Sequence, residues 1–389
     1  MIYLDNAATN YPRPEPVTEA VIDWLKNGAG SPGRGRYASA QRANDRVSKV
    51  RRRVARFFGV QDEHRIVFAY SATDALNMAI KGFVEKGDHV ITSAMEHNSV
   101  LRPLRHLERQ GIISLDIIPC DQQGYLKSEI LWQTFQPKTR LVVLNHASNV
   151  TGAVQDIPEL GAEIRRRCAF LLLDAAQSTG AIPIKIDSLK ADMIAFAGHK
   201  GLYGLPGIGG LVIGERIKRL RSWRQGGTGY HSQSEYQPVN WPEAFEAGTM
   251  NMPGIISIGS GIEFIEDQGV DEIAGRKLKH LEYLWDHLSK IEGVQLYGPE
   301  PNGHRVAVLS LNITGWEPGD IADILQYNYN IQVRSGLHCA PLAHKTLGTW
   351  PEGTVRISPG YFTKADELTQ LIQAIKNLAM TRVVASDLI

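Results

Sequence analysis

The sequence predicts an α/β protein with a mostly parallel seven-stranded sheet, helices on both faces of that sheet, and a smaller α+β C-terminal domain. Three observations predict this fold. Seven short apolar runs between residues 65 and 215 alternate with helical patterns, as is typical of a parallel sheet buried on both faces. Beyond about residue 256, long helical stretches with fewer strands replace that alternation. The 389 residues are also too many for one ordinary core.

Each predicted element follows from its residue pattern. The predicted strands of the large domain are the apolar runs 65–70, 89–93, 114–119, 140–146, 169–177, 192–198 and 209–214. Amphipathic patterns predict its helices at 73–87 and 157–167. The smaller domain has predicted helices at 274–291 and 365–380 and predicted strands at 305–313 and 354–358. We expect the large domain to cover 15–255, and the small domain to combine 256–389 with the extended, proline-rich segment 1–14.

Composition narrows the class of protein. Lys+Arg of 42 against Asp+Glu of 41 leaves a net charge of +1, which gives no reason to expect nucleic acid or an anionic membrane as partner. No apolar run approaches the roughly 18 residues of a membrane span, and no signal peptide is visible. Three cysteines are an odd and sparse set that favours a reducing cytoplasm over a disulfide framework. Of these, Cys120 and Cys168 have the pattern of ordinary packing residues.

A lysine and an aspartate follow two of the predicted strands at the edge where doubly wound folds bind ligands. Lys200 lies in FAGHKGLYG (196–204), and Asp174 ends the apolar run AFLLLD. Burial disfavours the ammonium form of a lysine and so prepares it to attack a carbonyl. A poorly solvated carboxylate requires a cationic partner, and a protonated pyridine nitrogen is one. Together the two residues predict pyridoxal phosphate, bound through an imine with the lysine.

Other polar residues fall at the same edge of the sheet. They are Thr73, His97, Asn149 and Gln177. Thr73 is predicted to cap a helix whose free N–H groups form a phosphate site, and a plain cap without a ligand is the alternative. His97 could lie on the face of the cofactor ring and handle protons, although a structural histidine is the alternative. Gln177 could reach the same ligand as Asp174.

A second candidate segment is RSGLHCAPLAH (334–344). It places Cys339 near Arg334, His338 and His344, and these basic neighbours would favour its thiolate. A buried inert cysteine is the alternative, and the pattern for a metal site is too weak to predict one. Arg356, in the predicted strand 354–358, could hold a carboxylate through two parallel hydrogen bonds or form an ordinary salt bridge.

In these residues and their motifs, the chain resembles the cysteine desulfurase family, among the class V aminotransferases of the fold-type I pyridoxal-phosphate enzymes. The resemblance covers nearly the whole length, and its short cysteine loop is most similar to the SufS and selenocysteine-lyase branch. The motifs that carry it, in family order, are YLDNAAT, MEH, SNVTG, DAAQS, GHKGLYGLPGIGGL, FEAGT and RSGLHCAP. It implies a fold-type I transferase that converts L-cysteine to L-alanine, with a persulfide for sulfur transfer, as in iron–sulfur cluster assembly.

The resemblance also implies a role for each site residue. Lys200 would be the Schiff-base lysine and the base at the substrate Cα, Cys339 the nucleophile, and His97 the ring-stacking residue. Asp174 would pair with the pyridine nitrogen and Gln177 with the ring hydroxyl. The residues implied at the cofactor phosphate are Ala72, Thr73, His199 and Thr249, the last from the partner subunit of a homodimer. The residues implied at the substrate are Arg356, Asn149, Asn6 and Arg334.

Three departures from the family pattern leave alternatives open. Ser71 stands where the family has glycine, Ala197 replaces a hydroxyl residue, and Gly33 replaces a histidine near the substrate. One hydrogen bond lost to the charged phosphate costs about 1.5–3 kcal/mol at most. The alternatives are a C–S lyase forming pyruvate and ammonia from cysteine or cystine, a selenocysteine lyase, and a non-catalytic scaffold. Cys339 in its GLHC context favours the desulfurase, with a sulfur-acceptor protein as a possible partner.

Overall fold

The computed structural model describes residues 1–33, 35–230 and 232–386, with side chains as far as residue 381. The strands are β1 Ile2–Tyr3, β2 Ile66–Ala69, β3 Asp88–Ser93, β4 Ile113–Ile118, β5 Thr139–Asn145, β6 Phe170–Asp174, β7 Met193–Ala197, β8 Gly209–Ile213, β9 Val294–Tyr297, β10 Leu309–Ile313, β11 Ile331–Gln332, β12 Arg334–Gly336 and β13 Thr354–Ile357. The helices are α1 Glu15–Asn27, α2 Ala38–Phe58, α3 Ala72–Phe83, α4 Asn98–Arg109, α5 Ser128–Thr134, α6 Ile157–Arg166, α7 Met252–Gln268, α8 Val270–Leu288, α9 Pro318–Tyr329, α10 Pro341–Leu347 and α11 Ala365–Ser386.

The large sheet confirms the predicted architecture. Its seven strands lie in the order β2-β8-β7-β6-β5-β3-β4. Strand β8 runs antiparallel to both of its neighbours, and the pairs among β3 to β7 are parallel. All seven strands fall within, or within one residue of, the apolar runs that predicted them, because strands covered on both faces are apolar throughout.

Two apolar cores cover the two faces of this sheet. Residues of α1, α2, α6 and α7 pack on one face, with Val54, Ile194 and Ile258 among the buried ones. Residues of α3 and α4 pack on the other face, with Leu76 and Leu104 at the centre. Each fully buried aliphatic or aromatic side chain contributes roughly 1.5–3 kcal/mol to folding, so the two cores hold the strand ends in place.

A third core belongs to the smaller sheet, β12-β13-β10-β9. Its buried residues come from β10 and β13, from the N-terminal segment and β11, and from α8, α9 and α11, with Leu281, Leu311 and Leu371 among them. Helix α7 packs entirely in the first core, so the predicted domain boundary at 255/256 falls inside a helix of the large sheet. The division of the chain into two domains stays a prediction.

The N-terminal segment contacts both parts of the molecule. Ile2 pairs with Ile331 in the short parallel sheet β1-β11. Eight residues later, the backbone N–H of Asn10 donates to the carbonyl of His199 (2.9 Å). The segment thereby brings residues 5–10 against the loop that follows β7.

None of the described helices is long and apolar enough to cross a membrane.

Candidate active site

A cavity of about 280 Å³ lies at the carboxyl ends of β5, β6 and β7. The parallel register sets Asn145 beside Asp174 and Asp174 beside Ala195, so the three strand ends form its floor. Most of the residues singled out in the sequence line it: Ala72, Thr73, His97, Asn149, Asp174, Gln177, His199, Lys200, Arg334, Cys339 and Arg356. The fold therefore brings together side chains from widely separated motifs.

Lys200 lies on a tight loop immediately after β7. The loop packs against residues 179–180 so closely that a Cβ on Gly201 would stand 2.0 Å from the Thr179 carbonyl oxygen; only glycine fits there. The side-chain amide of Asn10 donates to the Lys200 carbonyl and holds the backbone. Burial lowers the pKa of Lys200 to about 8, although the nearby Asp174 carboxylate raises it. A lysine in this setting carries an appreciable fraction of neutral amine near neutral pH.

Asp174 is a buried carboxylate at the end of β6, only 6% exposed. Its Oδ1 accepts a hydrogen bond from the Ala176 N–H (2.9 Å). Burial raises its pKa, against the lowering effects of that hydrogen bond and of Lys200. No cationic side chain among the described residues forms an ion pair with it, and so this carboxylate has room for a cation from a ligand.

Glu96 is a buried residue next to the site, bonded to the backbone of the lining residue Asn145, that sequence reasoning missed. Its Oε1 accepts from Ser93 Oγ (2.6 Å) and from the Asn145 N–H (3.0 Å). Burial raises the pKa of Glu96 to about 8, so it is mainly protonated at neutral pH. A protonated Glu96 adds no negative charge beside Asp174. The MEH motif contains Glu96, but nothing in it signals the burial.

A chain of hydrogen bonds joins helix α3 to His97. Thr73 Oγ1 lies 2.6 Å from Ser99 Oγ, which lies 2.8 Å from His97 Nδ1. The Ser99 backbone N–H donates to the same His97 Nδ1 (3.0 Å), so a neutral ring carries its proton on Nε2. Burial lowers the pKa of His97 to about 4, which keeps the ring neutral. Sequence reasoning did not identify Ser99 as the link.

The predicted cap of helix α3 was wrong by two residues. Ser71, not Thr73, caps the helix, and its side chain accepts from the Asp74 N–H (3.1 Å). Thr73 lies in the first turn, where its hydroxyl is used by Ser99. Ser71, which stands where the family has glycine, therefore caps helix α3. The first turn of α3 still faces the cavity.

His199 and Gln177 line this cavity together with Lys200. His199 Nδ1 is buried, with no hydrogen-bond partner among the described residues. Burial lowers the pKa of His199 to about 4, so the ring is neutral and can donate a hydrogen bond from one nitrogen. The amide nitrogen of Gln177 donates to the Ala7 carbonyl (2.9 Å), which fixes that side chain against the N-terminal segment.

Arg356 is held by an aspartate that sequence reasoning missed. Its guanidinium is 3% exposed, and Nη2 donates to Asp5 Oδ1 (2.8 Å) while Nη1 donates to the Asn149 carbonyl (3.1 Å). Arg334 Nε donates to the other oxygen of the same Asp5 (3.0 Å). Arg356 Nε is buried without a partner in the described part of the chain. Asp5 therefore joins the two arginines, and Arg356 keeps N–H groups that no described protein group uses.

Cys339 is exposed on a loop with unusual backbone geometry. His338 and Cys339 have φ of 47° and 57°, in the left-handed region that costs a non-glycine residue roughly 1–2 kcal/mol. The loop is held by Asn149 Nδ2, which donates to the His338 carbonyl (2.7 Å), and by the Asn98 N–H, which donates to the Cys339 carbonyl (2.7 Å). Strain of this kind is concentrated at functional sites.

The prediction that neighbouring histidines supply positive charge to Cys339 was wrong. His338 Nε2 lies 3.1 Å from the Thr354 carbonyl oxygen, and His344 Nδ1 lies 2.7 Å from Thr349 Oγ1. Burial lowers the pKa of His344 to about 4 and that of His338 well below its usual value. Both rings are therefore neutral, because an imidazolium would be poorly solvated there.

The other two cysteines differ in their exposure to solvent. Cys120 is buried as expected, and burial raises its pKa to about 12. The prediction of Cys168 as a packing residue was wrong. It is exposed, with φ of 62°, in the turn between α6 and β6.

Two predicted residues lie outside the cavity. Thr249 is exposed and lines a different cavity, together with Tyr70 and Arg224. Asn6 lines a smaller adjoining cavity, and its amide bonds to the backbone: Nδ2 donates to the Ser358 carbonyl (3.0 Å), and Oδ1 accepts from the Tyr11 N–H (3.2 Å).

Comparison with known proteins assigns the family. Residues 2–371 match the Aminotransferase class-V family. The chain is 34% identical, over 97% of its length and 94% of the relative's, to a probable cysteine desulfurase of Methanothermobacter thermautotrophicus. It is 32% identical to a cysteine desulfurase of Salmonella agona, over 87% and 84% of the two chains. This chain belongs to the cysteine desulfurase family.

Solved structures of cysteine desulfurases share the fold. The apo enzyme of Thermococcus onnurineus superposes with a TM-score of 0.92 at 33% identity, over 98% of this chain and 95% of that one. The cysteine desulfurase CsdA of Escherichia coli, in its S-sulfonic acid form, superposes with a TM-score of 0.87 at 27% identity, over 97% and 94%. The predicted fold-type I architecture is confirmed.

Class V cysteine desulfurases depend on pyridoxal 5′-phosphate, and the residues of this cavity fit that cofactor. Lys200 has a lowered pKa suited to an aldehyde. Asp174 is a buried carboxylate that forms no ion pair with any described side chain. The first turn of α3 and the unpartnered Nδ1 of His199 are suited to a phosphate.

Proposed function

We propose that this protein is a cysteine desulfurase that converts L-cysteine to L-alanine and holds the sulfur as a persulfide on Cys339. One observation carries the proposal: Cys339, on a loop held in a strained backbone conformation, lines the same cavity as Lys200. The relatives named cysteine desulfurase support it. A lyase that eliminates sulfur without a nucleophile has no use for a cysteine at this position.

Each end of the cofactor has matching residues in the cavity. Lys200 would bind its aldehyde carbon, Asp174 would pair with the ring nitrogen, and Gln177 would serve the ring hydroxyl. Ala72, Thr73 and His199 would hold the phosphate, at the N-terminus of α3. His97 would stack on the ring. Bound pyridoxal 5′-phosphate would supply an electron sink for the substrate Cα.

Residues of the chain position L-cysteine and move its protons. Arg356 and Arg334 hold the carboxylate, and the Nε of Arg356 has no hydrogen-bond partner among the described residues. Lys200 would take the proton from the substrate Cα, a task that its lowered pKa suits. His97 offers its Nε2 proton to the cavity, because Ser99 occupies Nδ1.

Sulfur transfer requires no external oxidant. The Cys339 thiolate donates an electron pair to the substrate sulfur, and a new S–S bond forms as the S–Cβ bond breaks. The electrons of the broken bond stay with the carbon fragment, which takes up a proton and leaves as alanine. Because Cys339 is exposed, the persulfide is accessible to a sulfur-acceptor protein. The cytoplasmic location stays a prediction.

A homodimer is part of the proposal, because Thr249 cannot serve the phosphate within one chain. It lies in the cavity with Tyr70 rather than beside Lys200. Large apolar side chains are exposed in the same stretch of chain, with Tyr236 85% and Val239 86% exposed, as is typical of an interface. Thr249→Ala should weaken cofactor retention, and mixing this variant with Lys200→Ala should restore one competent site per dimer.

The persulfide is the direct test of the function. Cofactor-loaded protein is treated with L-cysteine, and peptides are analysed by mass spectrometry without reductant. We expect the peptide that contains Cys339 to gain one sulfur atom, and the exposed Cys168 to gain none. Sulfur on Cys168 at the same level, or on neither cysteine while the substrate is consumed, would contradict the proposal.

A further inference from the structure

A second cavity lies beside the first, and its lining carries cationic side chains without a carboxylate. It encloses about 50 Å³, and Gln177 and Lys200 line both cavities. Among its lining residues in the described part of the chain, the charged ones are Lys200, Lys277 and Arg305. One water needs roughly 10–15 Å³ of such space, so the cavity has room for a molecule of a few heavy atoms.

Lys277 is the first of two cations here that lack a counter-ion. It lies on α8, half-buried, with no hydrogen bond or ion pair to any other described residue. Its ammonium faces the Tyr203 ring, 5.9 Å from the ring centroid. Burial lowers its pKa to about 8, and no carboxylate opposes that effect. An ammonium without a partner is an unusual group to keep at a cavity wall.

Arg305 is the second cation of this cavity that lacks a counter-ion. It is 3% exposed, and its Nη2 donates to the backbone carbonyls of Thr151 and Val308. Its Nε and Nη1 are buried without partners among the described residues. Its guanidinium stacks on Trp285, 5.3 Å from the ring centroid, and burial lowers its pKa to about 10. Buried charges are normally paired, so this part of the molecule lacks negative charge.

We propose that this second cavity binds a small anion, a carboxylate or a tetrahedral oxyanion of about four or five heavy atoms, with Lys277 as its direct contact. The anion supplies the negative charge that the lining lacks, and Arg305 adds to the positive potential of the wall. The cavity is distinct from the substrate carboxylate site, because neither Arg356 nor Cys339 lines it. Because Gln177 and Lys200 line both cavities, an anion in the second cavity lies next to the loop of Lys200.

The test measures anion-dependent stabilisation of the cofactor-loaded protein. Thermal unfolding is followed as sodium sulfate or sodium acetate replaces sodium chloride at constant ionic strength. An anion that binds the native state raises the midpoint in a saturable way. Lys277→Met removes the proposed contact. Lys279→Met, an exposed lysine two residues further along the same helix, makes the same change of charge as a control.

We expect a saturable rise in the midpoint for the wild type and for Lys279→Met, and its loss in Lys277→Met. A rise with acetate alone assigns a planar carboxylate, and a rise with sulfate alone assigns an oxyanion. The proposal is overturned if neither anion raises the wild-type midpoint, or if all three proteins respond equally. The anion-dependent rise in the unfolding midpoint is compared with the midpoint of the same protein in sodium chloride. A change in the baseline stability of a variant therefore does not affect the result.

Discussion

Asp5 Oδ1 lies 2.8 Å from Arg356 Nη2, although 351 residues separate them in the sequence. The second oxygen of Asp5 binds Arg334, so one carboxylate from the N-terminal segment orients both arginines of the proposed substrate site. The substrate carboxylate therefore meets guanidinium groups that are already fixed in place, which reduces the entropy lost on binding.

Replacing Asp5 should destabilise the protein. Asp5→Asn leaves the buried Arg356 without its counter-ion, and breaking a buried pair in this way costs about 3–5 kcal/mol. We expect the free energy of unfolding, measured by denaturant titration, to fall by about that amount. Asp62→Asn, in an exposed contact with His64, is the control and should cost less than about 1 kcal/mol. Equal effects for the two variants would show that the Asp5 pair does not stabilise the fold.

Ser99 should act on catalysis through His97. Ser99→Ala removes the hydroxyl between Thr73 and His97 but keeps the backbone N–H that binds His97 Nδ1. We expect a loss of about 1 kcal/mol in stability and a fall in kcat/KM of roughly tenfold, because proton-handling groups contribute through their orientation. The absorbance band of the bound cofactor should shift. Ser289→Ala, at an exposed helix end, should leave both the spectrum and kcat/KM unchanged.

Asn149 should control the order of the cysteine loop. Asn149→Ala removes the donor to the His338 carbonyl and leaves a buried acceptor without its partner, at a cost of about 1–3 kcal/mol. The strained backbone at 338–339 should then relax, and amide hydrogen exchange there should accelerate. Asn377→Ala, on an exposed face of α11, serves as the control. Unchanged exchange in Asn149→Ala would mean that the Asn98 contact alone holds the loop.

Cofactor capture should depend on the pKa of Lys200. Only the neutral amine attacks the aldehyde, so the rate of capture by cofactor-free protein should rise with pH through about 8 and level off above it. Asp174 raises the pKa of Lys200, so the midpoint of the profile should move to lower pH in Asp174→Asn. Stopped-flow absorbance measures the rate. A rate that stays flat through this pH range would contradict the assigned state of Lys200.

Local patterns predicted much of the fold and the site. The seven strands were identifiable because strands covered on both faces are apolar throughout. Asp174 was identifiable because a poorly solvated carboxylate at the end of an apolar strand requires a cationic partner. Lys200 was identifiable because a lysine in a glycine-rich turn after another such strand is suited to attack a carbonyl.

The features of the site that the sequence did not predict depend mainly on contacts between distant parts of the chain. Asp5 belongs to a recognisable motif, but its partners follow it by 329 and 351 residues. The neutral state of His338 and His344 comes from burial that their own loop does not encode. Ser71 and Thr73 are both good capping residues, and only the backbone geometry decides which of the two caps α3.

The most direct test of the proposed function is the organic product formed from L-cysteine by cofactor-loaded protein, for the wild type and for Cys339→Ala. The account predicts alanine from the wild type, no alanine from Cys339→Ala, and the same cofactor absorbance in both. Pyruvate and ammonia from both proteins would contradict it and would assign a C–S lyase in which Cys339 takes no part.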